Sequence, residues 1–278
     1  MKTLITRALT GIIFVALMVA GIYLHPYTLA ALFALICAVS VHEYIGLVAA
    51  FDVEKRPETT ASMTLLLVLA MVLYGIIAAI GLQWLPTAYW VLLLPLLLLV
   101  FLKELYNAQS KQPFVRAALH IAGLVYLVLP LGMTVWLANP DGRFAPHRIM
   151  GILILVWAND TFAYLTGFAL GRRPLFTRIS PKKTWEGSIG GAIGTLSLAY
   201  VLPIILEEWD LTAWLGIAVL SIFFGTWGDL VESMLKRNTQ IKDSGSLLPG
   251  HGGILDRFDA YYFVVPFVAA WIYLYHAN

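Results

Sequence analysis

The sequence predicts an all-α, polytopic integral membrane protein with about nine transmembrane helices, the N-terminus cytoplasmic and the C-terminus outside. Three observations carry this. First, 60% of the 278 residues are hydrophobic and 12% are charged, about half the charged share of an ordinary soluble domain. A soluble fold of this length must turn much of its surface to water and could not hide so much apolar side chain. Second, apolar runs recur along the whole chain, at the roughly 20-residue length a helix needs to cross the hydrocarbon core. Third, Lys and Arg alternate between successive connecting loops. The same composition excludes disorder, which needs low hydropathy and high charge. It also excludes a disulfide scaffold, because Cys37 is single and lies in an apolar run. A net charge of +2 gives no basis for a nucleic-acid partner.

The nine runs are 8–24, 27–49, 62–82, 86–102, 117–138, 149–170, 188–206, 212–233 and 260–276. Lys2 and Arg7 precede the first run as they would in a signal peptide. That run is long for such a segment and eight others follow, so it reads as a retained helix. One set of loops holds sixteen of the eighteen basic residues, and the other holds only Arg143 and Arg148. The positive-inside rule then puts the N-terminus in the cytoplasm. Residues 1–147 read as an N-terminal scaffold of lipid-facing helices and a candidate dimerisation surface. Residues 148–278 read as the region that holds the candidate chemistry, with basic cytoplasmic loops at 171–187 and 234–259.

Three acidic residues fall inside spans: Glu43, Asp160 and Asp229. A carboxylate at the bilayer centre costs about 2.5–3.5 kcal/mol on insertion scales, so each is a functional candidate. Glu43, near a span end beside His42, reads more simply as a packing or interfacial group. Asp160 is ambiguous. Asp229 is favoured by its neighbours: Asp229, Glu232, Ser233, Lys236 and Arg237 make one helical stripe that runs from the membrane into the basic loop. Snorkelling is the competing explanation for the two cations.

The loop that follows carries the densest chemistry. Lys236, Arg237, Lys242 and Arg257 can meet phosphates. Gly250, Gly252 and Gly253, around His251, let backbone N–H groups approach an anion. Asp256 and Asp259 lie one helical step apart and, like other carboxylates beside a phosphate-binding loop, suit Mg²⁺. The 171–187 loop adds a second cationic group in Ser180, Lys182, Lys183 and Thr184, before Trp185-Glu186-Gly187. Gly187, Gly190, Gly191 and Gly194 have the small-xxx-small spacing of helix packing.

Residues 233–259 resemble the signature of the phosphatidate cytidylyltransferase (CDP-diacylglycerol synthase) family, bacterial type. They hold Ser233, Lys236-Arg237, Lys242-Asp243, Pro249, His251-Gly252-Gly253 and Asp256-Arg257-Phe258-Asp259 in the family order. Asn159-Asp160 through Gly171, and the segment 180–187, are also similar. The resemblance implies transfer of CMP from CTP to phosphatidate, giving CDP-diacylglycerol and diphosphate at the cytoplasmic face of the bacterial inner membrane. It implies Mg²⁺, with room for a second ion, and a homodimer in the lipid bilayer. It implies that Asp229 and Asp256 are the metal carboxylates, with Asp160 as an additional candidate. Asp229, Lys242, Asp243, His251, Asp256, Arg257 and Asp259 form the implied catalytic set. Ser180, Lys182, Lys183, Thr184, Ser233, Lys236, Arg237, Gly252 and Gly253 are the implied contacts to the phosphates of CTP and phosphatidate. Asp229 and Asp256 are 27 residues apart, but the loop between them leaves and re-enters one membrane face, which lets them converge. Two readings compete: a CTP-dependent transferase acting on another membrane lipid, and a secondary transporter coupling through Asp160 and Asp229. The transporter leaves the loop signature unexplained.

Overall fold

Each apolar run expected to span is helical in the computed structural model, which describes residues 2–50, 59–108, 110–140, 142–241, 244–245 and 252–277, without side chains at 2–8 and 276–277. The helices are α1 (Lys2–Tyr23), α2 (Pro26–Ala49), α3 (Thr60–Gly81), α4 (Leu93–Leu105), α5 (Pro113–Gly123), α6 (Leu129–Ala138), α7 (Pro146–Leu170), α8 (Trp185–Leu206), α9 (Leu211–Thr239) and α10 (Leu255–Ala277). A 3₁₀ segment, Thr87–Leu92, leads into α4, and a wider π turn, Leu124–Val128, joins α5 to α6. Among the described residues eight helical stretches are long and apolar enough to cross a membrane, and α1 adds a shorter apolar stretch, Leu9–Tyr23. This is a multi-pass membrane protein.

One departure lies between α7 and α8. The basic loop there contains an antiparallel hairpin of β1 (Pro174–Phe176) and β2 (Ser180–Thr184), pairing Phe176 with Ser180 and Pro174 with Thr184. Sequence alone gave no strand signal, because Ser-Pro-Lys-Lys-Thr holds a single β-branched residue, Thr184, and no aromatic one.

The chain forms two compact units, Met1–Phe144 with Asn238–Arg257, and Ala145–Arg237 with Phe258–Asn278. The 238–257 segment packs with the first unit.

In the first unit α2 is central and packs on α1, α3, α5 and α6. Its start is fixed by His25, whose Nδ1 accepts the Tyr27 N–H, and by Thr28, whose hydroxyl accepts the His25 N–H. Leu29, Phe33, Ile36, Ile77, Leu131 and Val135 fill the core. The π turn stands just before Pro130, which has no N–H to donate and whose ring crowds the preceding turn. Toward its C-terminal end α2 is locked to α5: the Tyr44 ring occupies the space over Gly123 and its hydroxyl donates to the Leu119 carbonyl at 3.0 Å. A polar group joins α4 to α5, where Glu104 meets Lys103 at 2.5 Å and His120 Nδ1 at 3.6 Å.

In the second unit α7 and α8 pack closely along the glycine stripe. A Cβ at Gly187, Gly190, Gly191 or Gly194 would strike Ala163, Thr166, Asn159 or Phe162 of α7, as the small-xxx-small spacing predicts. Tyr164, Phe168, Ile189, Ile193 and Ile204 point outward, a patch that water would not tolerate and lipid does. α9 and α10 meet through Phe224 stacked on Phe267 at 3.5 Å and through Trp271 over Gly216.

Candidate active site

The second unit holds three carboxylates in one place. Asp229 and Glu232 come from α9 and Asp259 from α10, and one oxygen of each lies within 4.8 Å of the others. Their approach starts at Gly228. A Cβ there would sit 2.7 Å from the Asp259 carbonyl oxygen and 2.8 Å from Phe263 Cβ, so only glycine lets the two helices close at this level. Glu232 is 2% exposed, while Asp229 and Asp259 are half-buried. Ser233 donates its hydroxyl to Asp229 Oδ1 at 3.3 Å. Lys236 Nζ lies 2.7 Å from Glu232 Oε2, and Lys183 Nζ pairs with Asp229 Oδ2. Asp160, exposed on α7, is within electrostatic reach of Lys183 and Asp229 but is not one of the three. Three carboxylates this close repel one another unless cations or protons compensate. Hard oxygen donors around a small volume are the donor set that Mg²⁺ takes, so these residues fit the ion that the sequence implied.

The hairpin supplies one of the compensating cations. Successive strand residues point to opposite faces, and the adjacent lysines of β2 diverge accordingly. Lys182 is exposed, whereas Lys183 reaches Asp229. Thr184, expected to contact substrate, is the N-cap of α8: its hydroxyl accepts the Gly187 N–H at 3.1 Å. Ser180 pairs in the hairpin opposite Phe176. Glu186 holds the incoming strand by accepting the N–H groups of Arg172 and Arg173 at 3.0 and 3.2 Å.

The first unit holds the described part of the signature loop. Lys242, Asp243 and His251 lie outside the described residues. Asp256, the expected metal partner of Asp229, reaches back within its own loop. Its Oδ2 accepts the Gly253 N–H at 2.9 Å and the Ser244 N–H at 3.1 Å. The Gly253 bond is local: a carboxylate in the first turn of a helix reaches back three residues to a backbone N–H ahead of that turn, as in a capping box. The Gly253 N–H, expected to face a substrate phosphate, is therefore engaged by an anion of the protein itself. Gly252 adopts φ +84°, which a side chain would strain. Arg257 and Arg237 are exposed.

The sequence pattern of the Cytidylyltransferase family matches residues 5–275. The chain belongs to the cytidylyltransferase family. A phosphatidate cytidylyltransferase of Bacillus subtilis is 32% identical over 96% of this chain and 95% of its own length. That of Staphylococcus haemolyticus is 40% identical over 62% of this chain, a match that spans 65% of that protein. A chloroplastic phosphatidate cytidylyltransferase of Arabidopsis thaliana is 53% identical over 38% of this chain and 27% of its own length.

Two acidic residues join the picture of this family member that motif reading left aside. Glu232 was visible as part of the Asp229 stripe, three residues on, yet it belongs to the carboxylate group itself. Glu43, in α2, is the other. Its Oε1 accepts the Ile254 N–H at 3.1 Å, and its Oε2 accepts the Leu255 N–H at 2.9 Å and the Ser244 hydroxyl at 3.2 Å. No spacing rule could pair Glu43 with residues some 200 positions away; only its cost inside an apolar span marked it.

Proposed function

We propose that this chain is a CTP:phosphatidate cytidylyltransferase of phospholipid biosynthesis, an enzyme that converts CTP and phosphatidate into CDP-diacylglycerol and diphosphate. The observation that carries the reading is the Asp229–Glu232–Asp259 group with Lys183 and Lys236 at its edge. Family membership and the name shared by the relatives support it. Asp229, Glu232 and Asp259 would hold Mg²⁺. When bound, the ion neutralises the triphosphate and the departing diphosphate.

The chain's own residues do the rest. Lys183 and Lys236 keep a positive rim beside the acids, which draws in a polyanion and stabilises charge as it develops. Ser233 orients Asp229. Lys182 and Arg237, both exposed, are placed to meet phosphates arriving from water. The phosphate oxygen of phosphatidate attacks the α-phosphorus of CTP, and the bond from that phosphorus to the β-phosphate oxygen breaks. No protein nucleophile is required, because the attacking phosphate is itself ionised. Holding both reactants in line supplies much of the rate.

The reading extends to placement. The N-terminus and both basic loops face the cytoplasm of a bacterial inner membrane, where CTP is found, and the active form is a homodimer. The charge asymmetry of the loops supports this orientation.

The test is the purified, reconstituted protein with radiolabelled CTP and a panel of lipid phosphates. CDP-diacylglycerol formed from phosphatidate is the expected result. Product with a polyprenyl phosphate alone would move the assignment to another lipid, and no nucleotidyl-lipid at all would overturn transfer.

A further inference from the structure

Glu43 is 9% exposed on a helix whose other buried side chains are mostly apolar. A charge there needs several hydrogen bonds to be tolerated, and it has three. Two are backbone N–H groups at the start of α10, where the helix dipole favours an anion. The third is the hydroxyl of Ser244, ten positions earlier in the same loop. Glu43 therefore ties residue 244 to residues 254 and 255, while Asp256 makes a parallel tie from Ser244 to Gly253.

The glycines of the loop match this arrangement. A Cβ at Gly245 would collide with Glu43 Oε1, and one at Gly253 would lie 2.5 Å from Glu43 Oε2 and against the Ser244 hydroxyl. Both glycines thus make room for the carboxylate of another helix. The support is rigid, because Tyr44, the next residue, is locked onto α5 at Leu119 and Gly123.

We propose that Glu43 is a positioning residue of the transfer reaction: it fixes the first turn of α10 through the Ile254 and Leu255 N–H groups and Ser244. This rests on the transfer reaction proposed above. Asp256 and Arg257 stand in that first turn, so its placement sets the direction in which both project. Glu43 touches neither substrate; it acts through the residues that α10 carries.

The experiment compares reconstituted full-length wild type with Glu43→Gln. The amide of Gln turns a donor toward donors, so at least one of the three bonds is lost. Turnover per folded molecule should fall about tenfold or more, as displacements of around 1 Å at a reacting centre do. The KM for CTP should move far less, and the Mg²⁺ concentration for half-maximal rate should rise. Hydrogen exchange in the peptide covering 252–257 should quicken, while helix content stays that of wild type. Glu43→Asp, which keeps the charge, should recover part of the rate.

Unchanged turnover per folded molecule in Glu43→Gln would overturn the proposal, and so would a loss that only tracks the folded fraction. If Glu43→Gln does not insert, Ser244→Ala decides: a several-fold lower turnover supports the tie, and wild-type turnover overturns it. Wild type that makes no CDP-diacylglycerol would instead sink the reaction assignment, and the exchange measurement would still report whether Glu43 holds α10.

Discussion

Glu43 in the first unit and the Asp229–Glu232–Asp259 group in the second are both acids set among apolar helices, but their surroundings are opposite. Glu43 faces donors: two helix N–H groups and a hydroxyl saturate its oxygens. The trio faces itself, with Lys183, Lys236 and Ser233 as side-chain partners at its edges. A carboxylate surrounded by fixed donors is at its electrostatic minimum, and it holds backbone in place. Carboxylates that converge on one another stay poised for a cation. The first arrangement suits holding a loop; the second suits binding an ion and the phosphates that follow it.

The largest expected effect comes from breaking the second arrangement. Asp229→Asn or Asp259→Asn should lower turnover roughly a hundredfold or more, the scale of a lost metal-bridged transition-state contact. The double variant should be little worse than either single one, because groups acting as a unit are non-additive. Steady-state rates across a Mg²⁺ titration check this. The same titration sharpens the contrast: Asp256→Asn should shift the Mg²⁺ requirement less than Asp259→Asn, since Asp256 Oδ2 serves the loop. The reverse order would restore Asp256 as the main metal partner of Asp229.

Next comes the packing around Glu43. Gly253→Ala places a methyl against Glu43 and Ser244, and overpacking of this kind costs about 1–3 kcal/mol. Thermal unfolding in detergent should show the loss, and Gly225→Ala, where a Cβ would meet only ordinary contacts at 3.7 Å and beyond, should show far less.

The lysines of β2 give a smaller split. Lys183→Ala removes the cation at Asp229 and should cost about tenfold in rate, the scale of one charge-assisted contact. Lys182→Ala should cost only about twofold, as an exposed and screened charge does. Equal losses at both positions would mean that the hairpin does not orient them differently during turnover. The smallest effect is Thr184→Ala, which removes the α8 cap and should cost about 1 kcal/mol of stability, read from the thermal midpoint, with turnover per folded molecule unchanged.

Much of this was legible in advance. Hydropathy located each helical stretch to within six residues at either end, because crossing a bilayer is a local demand on about 20 consecutive residues. Glycine spacing foretold that α8 packs closely on another helix for a similar reason: it is a pattern on one helix face. The cationic loops were visible as charge, but the strand alternation that separates Lys182 from Lys183 was not, since the hairpin's composition hides it. Thr184 stood out for a hydroxyl beside lysines, which suits phosphate as well as it suits a helix start, and the structure adds the helix start.

By itself, then, the sequence determined the class of molecule, the positions of its helices and the signature segment with its acids and cations, because each is written within a stretch of neighbouring residues. Only the tertiary structure decided which groups each acid meets. Asp229 and Asp259 meet because Gly228 lets α9 and α10 close together, and Asp256 turns back to its own loop, where it accepts the Gly253 and Ser244 N–H groups. Glu43 finds its partners across more than 200 residues of chain. Such pairings depend on how helices pack, and packing is set by the whole set of shapes around them rather than by any local run of residues.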